Sequence, residues 1–289
     1  MPIENIIIKN GRHYKNVDNN FFNGESREIY YVLGLFYSSF NPHYKHPNTF
    51  IFTSKYKDLT EIVKDKLKSE NAIIKPKKRN SYFIEITSKK LHDKLNDLGL
   101  WKEKLNRKFP EYIDKNYLND FMRGFFDSQG YISKNKKGVN EITFVFNQKF
   151  LRKFSRNLNK ETGINKKKVN ILNKNNHLYG IINYRHENSL RIYDYIYKDF
   201  DYVKENNLYL KEKKELFNLN YDPNKYMNKI IKKMNNKICK SKKLLLKGYR
   251  GVEISERLGY SNVFQFYNIF KKYTGKTTKQ FLKETKQDL

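Results

Sequence analysis

Asp127 is the one carboxylate in either copy of a ten-residue segment that this chain carries twice. A carboxylate set among apolar neighbours can ligate a divalent cation or accept hydrogen bonds near a helix end. The copies are Tyr31-Val-Leu-Gly-Leu-Phe-Tyr-Ser-Ser-Phe40 and Phe121-Met-Arg-Gly-Phe-Phe-Asp-Ser-Gln-Gly130, 90 residues apart. Tyr37 stands where Asp127 does, so the acid has no partner in the other copy. Gly34 and Ser38, like Gly124 and Ser128, are small residues at i and i+4 and share one helical face. Two such faces bring helix backbones close together, as small-xxx-small pairs do elsewhere. The expectation is a pseudo-two-fold pair of helices packed on Gly34, Ser38, Gly124 and Ser128.

Other catalytic constellations are missing. The six histidines (His13, His43, His46, His92, His177, His186) show no metal-binding spacing. Cys239 is alone, which rules out a disulfide framework and a Cys-rich zinc site. The N-terminus lacks the apolar region of a secretory signal, and no apolar run nears membrane-spanning length. A cytoplasmic protein with no membrane contact is expected.

The stretch after each copy is repeated as well. In the first half, Thr49–Thr53, Ala72–Ile74 and Tyr82–Ile86 read as strands, the last two flanking the basic turn Lys77-Lys78-Arg79. Leu59, Ile62, Val63 and Leu67 mark a helix. Leu91, Leu95 and Leu98 mark another, with Ser88 as its cap. In the second half, Ile142, Phe144 and Phe146 alternate as in a half-buried strand. Phe150, Leu151, Phe154 and Leu158 form a helix stripe ending near Gly163. Val169–Leu172 and Leu178–Tyr184 read as strands, and Leu190, Tyr193 and Ile196 as the closing helix. The predicted order in each half is helix, strand, strand or turn, helix, strand, strand, helix.

Charge narrows the partner. The chain has 59 Lys and Arg against 30 Asp and Glu, a net charge of +29, and such a field attracts polyanions. Only 11 of the basic residues are Arg. An AT-rich genome favours Lys and Asn codons by itself, so charge alone does not fix the partner. The 23 Tyr and 21 Phe supply ample core.

The two segments and their flanks resemble the LAGLIDADG homing endonuclease family. Supporting stretches are Asp18–Phe22, Lys108–Pro110, Ile196–Lys198 and Leu210–Lys214, so the resemblance reaches about residue 217. It implies an α+β fold of two pseudo-symmetric αββαββα repeats, about 26–110 and 111–217, forming a DNA-binding saddle in one monomer (residues 1–222). In that family the eighth position of each motif is a carboxylate, and the two acids hold the metals that activate water. Here those positions are Ser39 and Gln129, both neutral. The resemblance therefore implies a scaffold that binds double-stranded DNA without catalytic residues or a metal cofactor. Magnesium enters only under the alternatives, an active endonuclease or an intron maturase. The basic residues Lys78, Arg79, Lys167, Lys168 and Lys174 are expected at turn tips touching phosphates.

Residues 223–250 read as a basic linker running into a helix that includes Leu244 to Leu246. Beyond it, Ile254 and Leu258 sit on a short helix that Gly259 can end. Ser261 can cap a second helix whose inward stripe is Val263, Phe266, Ile269, Phe270 and Tyr273. Thr277 can cap a last helix with Phe281 and Leu282. The run through Phe270-Lys-Lys-Tyr-Thr-Gly275 resembles an AraC-type helix-turn-helix (251–289). That implies a recognition helix in the major groove, with Asn262, Phe264, Tyr267, Asn268 and Lys271 facing DNA. A sequence-specific transcriptional regulator is the function expected.

Overall fold

The computed structural model describes residues 8–9, 12–13, 15–134, 140–174, 177–185, 187–218 and 223–287. They divide into two compact units, residues 1–220 and 221–289.

The first unit opens with a short antiparallel pair, β1 (Ile8–Lys9) and β2 (Arg12–His13). The first half proper contains α1 (Arg27–Ser39), β3 (Phe40–Pro42), β4 (Thr49–Ser54), α2 (Lys57–Lys66), β5 (Tyr82–Thr87) and α3 (Lys89–Asp97). The second half contains α4 (Leu118–Gln129), β6 (Gly130–Lys134), β7 (Asn140–Phe146), α5 (Gln148–Thr162), β8 (Asn170–Lys174), β9 (His177–Arg185) and α6 (Glu187–Ile196). Two short helices, α7 (Phe200–Glu205) and α8 (Lys211–Asn218), close the unit. The sheets are antiparallel, ordered β3-β4-β5 and β6-β7-β9-β8.

Alternation fixes which face of each sheet is covered, because successive side chains point to opposite sides. Phe40, Phe50, Phe52, Ile84 and Ile86 are buried on one face of the first sheet. Ile142, Phe144, Phe146, Ile182 and Tyr184 are buried in the second. Helix α5 covers that face: Phe154 packs on Phe144, Phe150 on Phe146, and the Tyr184 hydroxyl donates to Ser155 Oγ at 2.9 Å. Gly180 lets the first turn of α5 come this close, since a Cβ there would lie 2.9 Å from Gln148 Cα. On the opposite face Tyr131, Ser133 and Arg185 are exposed, and Thr143, Val145, Ile181 and Asn183 are half-buried.

Helix ends obey local chemistry. Ser26, Ser88 and Asn147 accept from backbone N–H groups at the starts of α1, α3 and α5, satisfying donors the helix leaves free. Gly163 ends α5 at φ 66°.

Two sequence readings need correction in this unit. The strand expected at Ala72–Ile74 contributes only a single bridge, Ile74 to Phe83. Pro76, two residues on, has no N–H to donate, and opens a turn in which Arg79 N donates to Pro76 O at 3.2 Å. Lys166, Lys167 and Lys168 are not at a β-turn tip; they lie in the connection from α5 to β8. Lys78 and Arg79 do sit in an exposed turn. The expected contact Lys174 stands at the end of β8, and its side chain lies outside the described ones, as do residues 175–176 and His186.

Among the described residues the second unit has four helices: α9 (Pro223–Leu246), α10 (Gly251–Arg257), α11 (Val263–Thr274) and α12 (Thr278–Gln287). The expected linker is therefore helical from Pro223 onward. The reason is that Ile238 and Leu245 are buried with Ile254, Tyr260, Phe266 and Phe270 in one core, giving that helix an apolar stripe. Gly259 turns at φ 63° and Gly275 at φ 73°, conformations that other residues adopt at a cost. The cap of α11 is Asn262, not Ser261: its Oδ1 accepts from Gln265 N at 2.8 Å. Tyr273 is exposed rather than inward, because Phe266 and Phe270 already fill that face. Thr277 caps α12, accepting from Gln280 N at 3.2 Å. Among the described residues no helix is long and apolar enough to cross a membrane.

Candidate functional site

The two repeated segments form α1 and α4, which cross at their glycines. A Cβ on Gly34 would lie 2.2 Å from Phe121 O and 2.8 Å from Phe125 N. A Cβ on Gly124 would lie 2.0 Å from Tyr31 O and 3.0 Å from Leu35 N. Adding the 90-residue offset to one set of contacts gives the other. Ser38 and Ser128, related by the same offset, hydrogen-bond to each other through their hydroxyls. The crossing is thus a local two-fold axis, and backbone contact this close is possible only without side chains.

That crossing places the ends of both helices side by side, each leading directly into a strand, β3 or β6. Ser39 and Gln129 are the last residues of the helices and are half-buried. Gln129 is held in place: its Nε2 donates to Val145 O at 2.8 Å, and its Oε1 accepts from Lys104 Nζ at 3.4 Å. Ser39 Oγ lies 3.4 Å from Ser38 Oγ. Neither position brings negative charge.

Asp127 does not replace it. The side chain is fully buried and turned into the protein. Its carboxylate accepts from Tyr31 Oη at 2.8 Å, Leu210 N at 2.9 Å and Tyr197 Oη at 3.4 Å. Burial raises its pKa, opposed by the Lys213 ammonium and the Tyr31 hydrogen bond. Tyr37 is turned inward in the same way and donates to Leu98 O at 2.9 Å. Magnesium needs hard anionic oxygens facing a shared space, and this donor set does not fit it. Among the described residues no group of three or more His, Cys, Asp or Glu is placed to hold a metal ion.

The charge at the helix ends is cationic. Arg107 is buried and donates to Phe36 O at 3.3 Å, Tyr37 O at 2.9 Å and Phe40 O at 2.8 Å. Lys213 is buried and donates to Phe126 O at 2.5 Å, Asp127 O at 2.6 Å and Gly130 O at 2.6 Å. The two carbonyl triads are again related by 90 residues. Each cation donates to carbonyls at a helix end, where Phe36 O and Phe126 O already accept the cap N–H groups, and sits at the negative end of a helix dipole. Burial pulls Arg107 down to about 10. Burial likewise pulls Lys213 down to about 7, against the raising effect of Asp127. Lys104, beside Gln129, is pulled down to about 8 by burial and, secondarily, by Arg107.

Nothing in the sequence marks Lys104, Arg107 or Lys213. The helix-end groups they meet lie 25 to 87 residues away, and no local spacing announces them. A second basic set, not among the expected contacts, is legible: Lys149, Arg152, Lys153 and Arg156 keep helical spacing and form the outer, basic face of α5.

In the second unit Phe264 is 75% exposed, and Asn268 and Lys271 are exposed on the same side of α11. Tyr267 is 41% exposed and its hydroxyl lies against Gly251, where a Cβ would be 2.2 Å away. Asn262 is exposed, with its Oδ1 committed to the cap.

No protein-family profile matches the chain. It is 32% identical over 120 residues to an uncharacterized protein of Methanocaldococcus jannaschii, a stretch making 38% of this chain and 41% of that protein. The chain thus spans about two fifths of the length of that curated relative. Among solved structures it is similar to the N-terminal LAGLIDADG domain of DUF199/WhiA, with 16% identity, TM-score 0.42, and coverage of 64% of this chain and 93% of that one. Full-length DUF199/WhiA from Thermatoga maritima gives 17% identity and TM-score 0.41, over 93% of this chain and 94% of that one. The homing endonuclease I-WcaI, bound to its DNA recognition sequence, gives 12% identity and TM-score 0.46, over 68% and 90%.

Proposed function

We propose that this chain is a sequence-specific double-stranded DNA-binding protein, a transcriptional regulator acting as a monomer on a homing-endonuclease-like scaffold that does not cut. The observation that carries the reading is the pair of helix ends. They bring Ser39 and Gln129 together with Lys104, Arg107 and Lys213, while the one nearby carboxylate, Asp127, is consumed inside. Lys104, half-buried beside Gln129, is the cation left to meet a phosphate, and the helix ends offer no anionic ligands for the metals that in-line hydrolysis uses. The uncovered sheet face offers Tyr131, Ser133 and Thr143 as hydrogen-bonding groups for base edges or phosphates. Lys78 and Arg79, in their exposed turn, extend that reading as phosphate contacts.

The second unit supports a second reading surface, an AraC-type helix-turn-helix formed by α10 and α11. Its support is the tight turn at Gly259 and the exposed row Phe264, Asn268 and Lys271 on α11. Asn268 can pair both edges of adenine, and Phe264 can meet thymine methyl groups. The test is binding of duplex fragments in EDTA and in magnesium. Equal binding to intact DNA is expected; a requirement for magnesium would overturn the reading.

A further inference from the structure

Arginine is scarce in this lysine-rich chain, with 11 Arg among 59 basic residues, so where Arg is placed is informative. Five of those described have internal duties. Arg27 and Arg123 bind Asp120, Arg107 caps α1, Arg185 pairs with Glu141 and Arg191 with Glu187. Arg152 and Arg156, one turn apart on α5, are exposed and have no ion pair among the described residues. They line a groove of about 580 Å³ whose other wall is Lys166, Lys167 and Lys168. Lys149 continues the row, and only Lys153 beside it meets an acid, Glu111 at 2.9 Å.

The position of the groove is as informative as its charge. Helix α5 packs on the covered face of the second sheet, so its basic side points away from the uncovered face. A helix with side chains is about 10–12 Å across, and a duplex on the uncovered face lies out of reach of Arg152 and Arg156. From Lys149 to Arg156 the row spans about 10 Å at ~1.5 Å per residue, which matches roughly three nucleotides of one strand at ~3.4 Å each. The groove lining contains no aromatic ring, so it lacks the stacking platforms that hold single strands.

We propose that the α5 groove is a second, sequence-independent DNA contact that grips the phosphate backbone of a separate duplex segment. One chain then holds two segments at once, one read by its sequence and one held by charge. The choice of duplex DNA rests on the function proposed above; the presence of an anion-binding groove does not.

The test uses the full chain and a triple variant, Arg152→Gln, Arg156→Gln and Lys166→Gln, all exposed positions that line the groove. A tethered duplex carrying the selected site captures the protein, and recruitment of a labelled unrelated duplex is then measured. The wild type is expected to recruit it, and the variant to lose about tenfold or more of that recruitment while keeping its affinity for the tethered site. The salt dependence of recruitment should also flatten, by a slope of about 0.9 for each phosphate contact removed. Undiminished recruitment in the variant overturns the proposal. So does a parallel loss of affinity for the tethered site, or a loss confined to structured RNA or anionic vesicles. Failure of the wild type to bind the tethered duplex at all would instead overturn the function proposed above.

Discussion

The glycine crossing can be tested by asking whether its two halves fail together. Gly34→Ala places a methyl group 2.2 Å from Phe121 O, and Gly124→Ala places one 2.0 Å from Tyr31 O. Ordinary contact needs roughly 3.4 Å, so either change must separate α1 and α4 by about 1 Å. Overpacking of this kind costs about 1–3 kcal/mol, and here the obstacle is backbone, which places the steric cost at the upper end. Alanine returns about 1 kcal/mol of helix propensity over glycine, leaving each single variant about 2 kcal/mol less stable. The double variant should cost much less than the sum of about 4 kcal/mol, because one separation of the helices relieves both clashes. Urea unfolding monitored through Trp101, which packs edge-on against Phe40 at the end of α1, gives all three values. Additivity within about 0.5 kcal/mol, or single costs below that figure, would refute the two-fold contact.

The charges of the site are testable as well. Lys104 titrates at about 8 in the folded chain, against 10.5 when exposed. Its charge is lost as pH rises through 8, so duplex affinity should fall by roughly tenfold between pH 7 and 9, the weight of one charge-assisted hydrogen bond. Lys104→Arg should flatten that profile, and an unchanged profile would remove Lys104 from the interface. Stability runs the other way: between about 8 and 10.5 the unfolded state binds the extra proton, so this group makes the fold more stable as pH rises across that window. Asp127→Asn leaves Lys213 buried without its counter-charge and should cost about 3 kcal/mol by urea unfolding, with duplex affinity unchanged; loss of a cutting activity would show Asp127 to be catalytic. In the second unit, Asn268→Ala should change which sequences a random library returns. Lys271→Ala should weaken all sequences alike and reduce the salt slope by about 1; unchanged selectivity for the first variant would reject α11 as a reading helix.

The repeated segments were legible because glycine and serine recur at one helical spacing, and that spacing alone locates the crossing. The strands with strict alternation, such as Ile142 to Phe146, were legible for the same reason. Ala72–Ile74 misled because apolar content suggests a strand while Pro76 stops the ladder. The run from Lys225 misled in the opposite direction: its charge suggests a linker, yet Ile238 and Leu245 supply the stripe that a helix needs. Arg107 and Lys213 were not legible at all. Each is one basic residue among 59, and only the folded chain brings it to a helix end encoded 67 or more residues earlier. Asp127 shows the limit of motif reading most plainly: sequence gives the carboxylate, but its direction, inward to Tyr31 and Leu210, is a property of packing.

The central claim is that this scaffold binds duplex DNA and leaves it whole. The direct measurement is to incubate the protein with sheared genomic DNA in magnesium and in EDTA, then sequence the bound fragments together with their ends. Intact fragments sharing one internal motif, equally in both conditions, are the predicted result. Fragment ends accumulating inside that motif in magnesium would contradict it, and would mean that Ser39 and Gln129 do not abolish cutting.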